Sequence, residues 1–153
     1  MPPHVTCIIL NYNEWEITQK CISSLEQSSH QNFNIVLIDN HSNQSHPSIL
    51  FNAIEHPLFD NFYINKQFKN NIQITKKIYT IQSKINGGFP YGINIGISFA
   101  LTHLNTDYIW ILNNDTLCNE TALEHLLNDS NDMSIIGSKL IDSNNNECRS
   151  LGT

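Results

Sequence analysis

Apolar residues in this chain fall into three short unbroken runs separated by stretches that repeat on a helical period. The runs are Val5-Thr6-Cys7-Ile8-Ile9-Leu10, Asn34-Ile35-Val36-Leu37-Ile38-Asp39 and Tyr108-Ile109-Trp110-Ile111-Leu112. Runs of this length without polar alternation predict strands buried on both faces, as in parallel sheets. Each stops at turn-forming residues: Asn11-Tyr12-Asn13, Asp39-Asn40-His41 and Asn113-Asn114-Asp115.

Between the first two runs, Trp15, Cys21, Ile22 and Leu25 mark one face of an amphipathic helix reaching about Gln27. Asn13 with Glu16 three residues on predicts an N-cap and capping box. A strand, a helix and a strand joined by a right-handed crossover place the two strands parallel and adjacent. Their polar ends then share one sheet edge with Asp115, where open α/β sheets bind their ligands.

The pattern weakens over residues 47–84. Residues 48–54 suit a short helix and residues 77–82 a third strand, while Phe59, Phe62, Tyr63 and Phe68 follow no period. The turn Asn86-Gly87-Gly88-Phe89-Pro90-Tyr91-Gly92 then leads into a helix whose Ile93, Ile97, Ala100, Leu101 and Leu104 share a face. A glycine-rich turn at a helix start is a ready anion site or a plain tight turn. Its glycines do not form a Gly-x-Gly-x-x-Gly fingerprint. Residues 121–127 predict another helix, residues 134–141 a further strand and residues 142–146 a turn. The reading is one α/β domain over residues 1–153, a mostly parallel sheet flanked by helices, with an irregular insertion at 47–84.

Composition narrows the function classes. A chain of 153 residues with 40% hydrophobic content is an ordinary globular domain, large enough to bury about 68–70% of its unfolded surface. No apolar run approaches a membrane span. A net charge of −6 argues against nucleic acid and disfavours an anionic ligand unless a cation or backbone donors intervene. Five of eight Lys and Arg residues, Lys66, Lys69, Lys76, Lys77 and Lys84, cluster in one region, which suits a solvated face rather than contact with an acidic partner or a membrane surface. The cysteines Cys7, Cys21, Cys118 and Cys148 form no Cys-x-x-Cys pair and read as reduced thiols of a cytoplasmic protein. The seven histidines show no zinc-ligand spacing with them. Asparagine is abundant, 22 of 153 residues, so a single Asn match carries little information.

Asp39 and Asp115 on one edge fit an acid/base pair, a metal site or solvated turn residues. Four segments in order carry a more specific signal. Residues 5–13, residues 35–42, Asn86-Gly87-Gly88-Phe89-Pro90-Tyr91-Gly92-Ile93-Asn94-Ile95-Gly96 and Leu112-Asn113-Asn114-Asp115-Thr116 together resemble family 2 glycosyltransferases. The likeness is closest to the rhamnosyltransferase-like members with the Rossmann-like GT-A fold.

The resemblance implies inverting, metal-dependent transfer of a sugar from a UDP- or dTDP-sugar to a glycan, lipid-linked or other acceptor hydroxyl, within polysaccharide biosynthesis for the cell envelope. It implies cytoplasmic work, with peripheral association at the inner face of the membrane compatible. By it, Asp115 coordinates Mg²⁺ or Mn²⁺, and Asn113-Asn114-Asp115 stands for the family's Asp-x-Asp element, with Asn113 and Asn114 among the donor-binding residues. Asp39 contacts the base, the turn Asn11, Tyr12 and Asn13 the nucleoside, and Gly88 and Asn94 line the donor pocket. Asn113 departs from the carboxylate that many relatives carry.

Relatives take their general base and acceptor site from the half after the Asp-x-Asp strand. No residue here is assigned as base, and the chain is expected to be a C-terminally incomplete donor-binding half. The alternative is a non-catalytic nucleotide-sugar-binding module. A sugar-nucleotide nucleotidyltransferase is disfavoured, because no Gly-rich, Arg-containing loop follows the first strand.

Overall fold

The computed structural model of the chain describes residues 1–43, 52–56, 59–65, 78–131, 134–142 and 148–150, with backbone alone at 52–56, 59–65 and 148–150. The three apolar runs are strands β1 (Val5–Asn11), β2 (Phe33–Asp39) and β6 (Tyr108–Asn113). Between them lie α1 (Trp15–Glu26), β3 (Asn52–His56), β4 (Phe59–Asn65), β5 (Ile78–Gln82) and α2 (Gly88–His103). After β6 come α3 (Ala122–Asn128), β7 (Leu140–Ile141) and β8 (Cys148–Ser150).

The main sheet runs β3-β4-β5-β2-β1-β6. β1 pairs parallel with β2 and β6, and β2 pairs parallel with β5. β3 and β4 join antiparallel beyond β5. Strand alternation divides the core into two layers. Val5, Cys7, Ile9, Ile35, Leu37 and Leu112 face α1 and α3, packing on Cys21, Ile22, Leu25 and Leu123. Ile8, Val36, Ile38 and Ile81 face α2, packing on Ile93 and Phe99. The predicted mostly parallel α/β sandwich is therefore the observed fold.

Helix α2 lies unusually close to β1. A Cβ at Gly92 would fall 2.2 Å from Leu10 Cδ1, and one at Gly96 would fall 2.6 Å from Ile8 Cγ2. The two glycines, four residues apart, form the helix face against the sheet, with Phe99 and Ala100 one turn on. Of the predicted face, Ile93 and Ala100 are buried and Ile97 and Leu104 pack against the core, while Leu101 is 68% exposed. Glycine scores as neither apolar nor polar in a periodicity count, so Gly92 and Gly96 were not read as part of that face.

Four other expectations are corrected. Asn13 does not cap α1: it adopts a left-handed conformation (φ 60°) and the helix starts after Glu14 without a side-chain cap. Asn52, Ala53 and Ile54, assigned to a short helix, belong to β3, and the rest of that predicted helix lies outside the described residues. The Tyr108–Asn113 run is not buried on both faces. It pairs with β1 alone among the described residues, and Ile111 is 45% exposed. The strand expected over residues 134–141 is confined to Leu140 and Ile141. Of the predicted turn at 142–146, only residue 142 is described.

Candidate functional site

Parallel register brings the strand ends together. Asn11 lies opposite Asp39, Asp39 opposite Gln82, and Leu10 opposite Asn113. The chain leaving β5 turns at this same edge into α2, so the glycine turn sits beside the ends of β1 and β2. Asn40 fixes it there: its Nδ2 donates to Asn86 Oδ1 (2.8 Å) and approaches Gly88 O (3.4 Å). Asn86 Oδ1 also accepts from Gly88 N–H (3.1 Å). Gly88 has φ +82° with open space where a Cβ would stand, so conformation rather than room demands glycine.

A hydrogen-bonded chain of side chains crosses the strand ends, and its polarity can be read from the backbone donors that anchor it. Ser42 Oγ accepts from Asn13 N–H (2.8 Å) and from Asn11 Nδ2 (3.2 Å). Its one proton therefore goes to Asp39 Oδ1, 2.5 Å away, which also accepts from Ser42 N–H (3.2 Å). On the other side, Asn11 Oδ1 accepts from Glu14 N–H (3.3 Å) and from Thr18 Oγ1 (2.8 Å). Thr18 Oγ1 accepts in turn from Asn114 Nδ2 (3.1 Å). Asn11, Thr18 and Asp39 are all buried, and burial makes each satisfied partner costly to remove. Two non-glycine residues at positive φ, Asn13 and His41 (φ 65°), flank this network, a form of local strain that clusters at functional sites.

The third strand end carries Asp115, which is exposed. Asn114 turns its amide inward, reaching Glu14 Oε2 (3.3 Å) as well as Thr18. The Asn113 carbonyl accepts from Thr116 N–H (3.2 Å) and from the Cys21 thiol (3.6 Å). Burial pushes that thiol up to about 12, with Cys118 and Asp115 adding to the rise. Burial likewise raises Cys118. Both remain neutral thiols at ordinary pH, and neither they nor Cys7 is part of a disulfide.

A divalent cation is compatible with this edge in one way. Among the described residues no three His, Cys, Asp or Glu side chains gather into a metal-binding group, so the chain offers no closed cage. It does offer one exposed carboxylate at a strand end. Mg²⁺-type sites commonly combine one or two carboxylates with water and substrate phosphate oxygens.

The residues expected at the site are distributed as follows. Asp39 and Asp115 lie on the same edge, with Gly88 beside it. Asn11 is fully buried and Asn114 half-buried, both with their amides engaged inside the protein. Asn13 Oδ1 accepts from Asn43 N–H (2.7 Å). Tyr12 is 42% exposed, and Asn94 and Asn113 are exposed. Thr18, Asn40 and Ser42 were not singled out in the sequence. Their only signal was position: two follow a strand end and the third lies one turn into the next helix.

A family model described as "Glycosyl transferase family 2" matches residues 6–147. No curated protein sequence matches the chain. Among solved structures, residues 1–349 of S. aureus TarS align with TM-score 0.54 and 16% identity, over 80% of this chain and 31% of that one. Another structure of S. aureus TarS gives 0.56 and 15%, over 80% and 18%. The mannosyltransferase PcManGT from Pyrobaculum calidifontis, in complex with GDP-Man and Mn²⁺, gives 0.58 and 17%, over 80% and 31%. At these identities the structures establish the shared fold, and the chain spans about a third or less of each of these three chains.

Proposed function

The chain belongs to glycosyl transferase family 2 and has the GT-A fold, and on that premise we propose that its strand-end edge binds a nucleotide-sugar donor for metal-assisted, inverting glycosyl transfer. The observation that carries the proposal is the convergence of Asp39, Asp115 and the glycine turn on one edge. In this reading, Asp39 receives the base: Ser42 occupies its Oδ1, leaving Oδ2 to accept from a nucleobase N–H. Tyr12 offers an exposed ring beside the nucleoside. Gly88 and Asn94, on the first turns of α2, line the donor pocket.

Asp115 faces the diphosphate and would hold Mg²⁺ or Mn²⁺. Without a cation, the carboxylate and a phosphate charge about 4 Å apart repel by about 4 kcal/mol at an effective dielectric near 20. A bound cation supplies Lewis-acid stabilisation of charge on the leaving diphosphate. Asn113 and Asn114 support Asp115 from the protein side, through the backbone carbonyl of one and the amide of the other.

The proposed donors are UDP- or dTDP-sugars, with hexosyl or rhamnosyl transfer to a glycan or lipid-linked hydroxyl. The reduced thiols support a reducing, cytoplasmic setting. Among the described residues no helix is long and apolar enough to cross a membrane. The general base is not assigned to this chain. A donor-binding module without turnover is the second reading.

Titration calorimetry with UDP, dTDP and GDP, each with Mn²⁺ and with EDTA, tests the proposal. Tighter binding of one of the first two with metal supports it. Preference for GDP would correct the donor, and no binding of any of the three would contradict it.

A further inference from the structure

Hydrogen-bond donation across the strand ends runs in one direction. It starts at Asn114 Nδ2, passes to Thr18 Oγ1 (3.1 Å) and then to Asn11 Oδ1 (2.8 Å). From the same amide, Asn11 Nδ2 passes it to Ser42 Oγ (3.2 Å), which ends it on Asp39 Oδ1 (2.5 Å). Backbone N–H groups of Glu14 and Asn13 fix the two orientations that would otherwise be ambiguous, those of the Asn11 amide and the Ser42 hydroxyl. Each bond in such a series polarises the next. Thr18 is the only side chain in it contributed by a helix, and it is 1% exposed. Its hydroxyl proton has one other acceptor in reach, Glu14 O at 2.9 Å. Donation to Asn11, the shorter of the two at 2.8 Å, completes the series, whereas donation to Glu14 O would leave Thr18 joined to Asn114 alone.

We infer that Thr18 is a positioning residue that joins the turn carrying Asp115 to the Asp39 end of the site, so that the two ends respond to each other through its hydroxyl. The inference rests on the proposed reading for its functional meaning, but its physical content concerns the ligand-free chain. Asn114 precedes Asp115 directly, and its amide is held from below by Thr18 and Glu14. Releasing that amide frees the turn without touching either carboxylate.

The test uses the full chain, ligand-free, followed by NMR of the Asn114 side-chain amide and the Asp115 backbone amide. Ser42→Ala breaks the series at its far end. It should move both resonances when residue 18 is Thr and neither in a Thr18→Val background, whose shape is nearly the same. Thr18→Ser should restore the response, and unchanged amides of residues 5–8 and 33–36, away from the strand ends, report that each variant is folded. With Mn²⁺ and UDP, Thr18→Val should lower the metal-dependent gain in nucleotide affinity about tenfold, the size of one lost hydrogen bond. Thr18→Ser should restore the gain.

A response to Ser42→Ala that persists in Thr18→Val, its absence with Thr18 present, or failure of Thr18→Ser to restore it would each overturn the inference. Absence of nucleotide binding by the unmodified chain would overturn the functional reading instead, because the resonance shifts are read without ligand.

Discussion

Asn11 and Ser42 are joined in one direction only. Asn11 Nδ2 donates to Ser42 Oγ across 3.2 Å because the Asn13 N–H already points at that hydroxyl and Asp39 takes its proton. An acceptor in place of Nδ2 would face an oxygen that has no proton left to give. Asn11→Asp, which is nearly isosteric, should therefore destabilise the fold by about 1–3 kcal/mol, the cost of leaving a buried polar group unsatisfied. Urea unfolding should show a lower midpoint with an unchanged slope.

Gly92 and Gly88 both resist substitution, for different reasons. Gly92→Ala places a methyl 2.2 Å from Leu10 Cδ1, and overpacking of this kind costs about 1–3 kcal/mol. Gly88→Ala meets no atom but must hold φ +82°, at a cost of about 1–2 kcal/mol. The pair separates in a double-mutant cycle: the loss caused by Gly92→Ala should be smaller in a Leu10→Ala background, and that caused by Gly88→Ala should be the same in both.

Cys21 gives the alkaline stability limb a distinct shape. Burial raises its thiol from 9.0 to about 12 in the folded chain. Above 9.0 the unfolded chain has released a proton that the folded chain retains, so unfolding loses protons and stability falls as pH rises. The contribution is fully present below 9.0 and is lost progressively up to about 12. Unfolding free energy measured at stepped alkaline pH should decline across that window. Cys21→Ala should start lower, because of the cavity it leaves, and decline less steeply.

Strands β1, β2 and β6 and the start of α2 were legible because unbroken apolar runs and glycine-rich turns are local signals. The antiparallel addition of β3 and β4 was not, since residues 47–84 show no period and strand pairing there is a non-local choice. Exposure of Ile111 was missed for a related reason: a run of apolar residues does not reveal whether a strand has neighbours on both sides. At the site, sequence spacing placed Asp39, Asp115 and the glycine turn together. It could not show that Asn11 and Asn114 turn their amides into the protein, because side-chain direction there is set by Thr18 and Ser42, on different segments.

The role of Asp115 carries most of the functional account. The direct test is calorimetric titration of the unmodified chain and Asp115→Ala with UDP and dTDP, each in Mn²⁺ and in EDTA. The account predicts metal-dependent binding of one of these nucleotides by the unmodified chain, and loss of the metal-dependent part alone in Asp115→Ala, with folding unchanged because Asp115 is exposed. Equal metal-dependent binding by both proteins would contradict it and move the cation, if one is bound, to another residue.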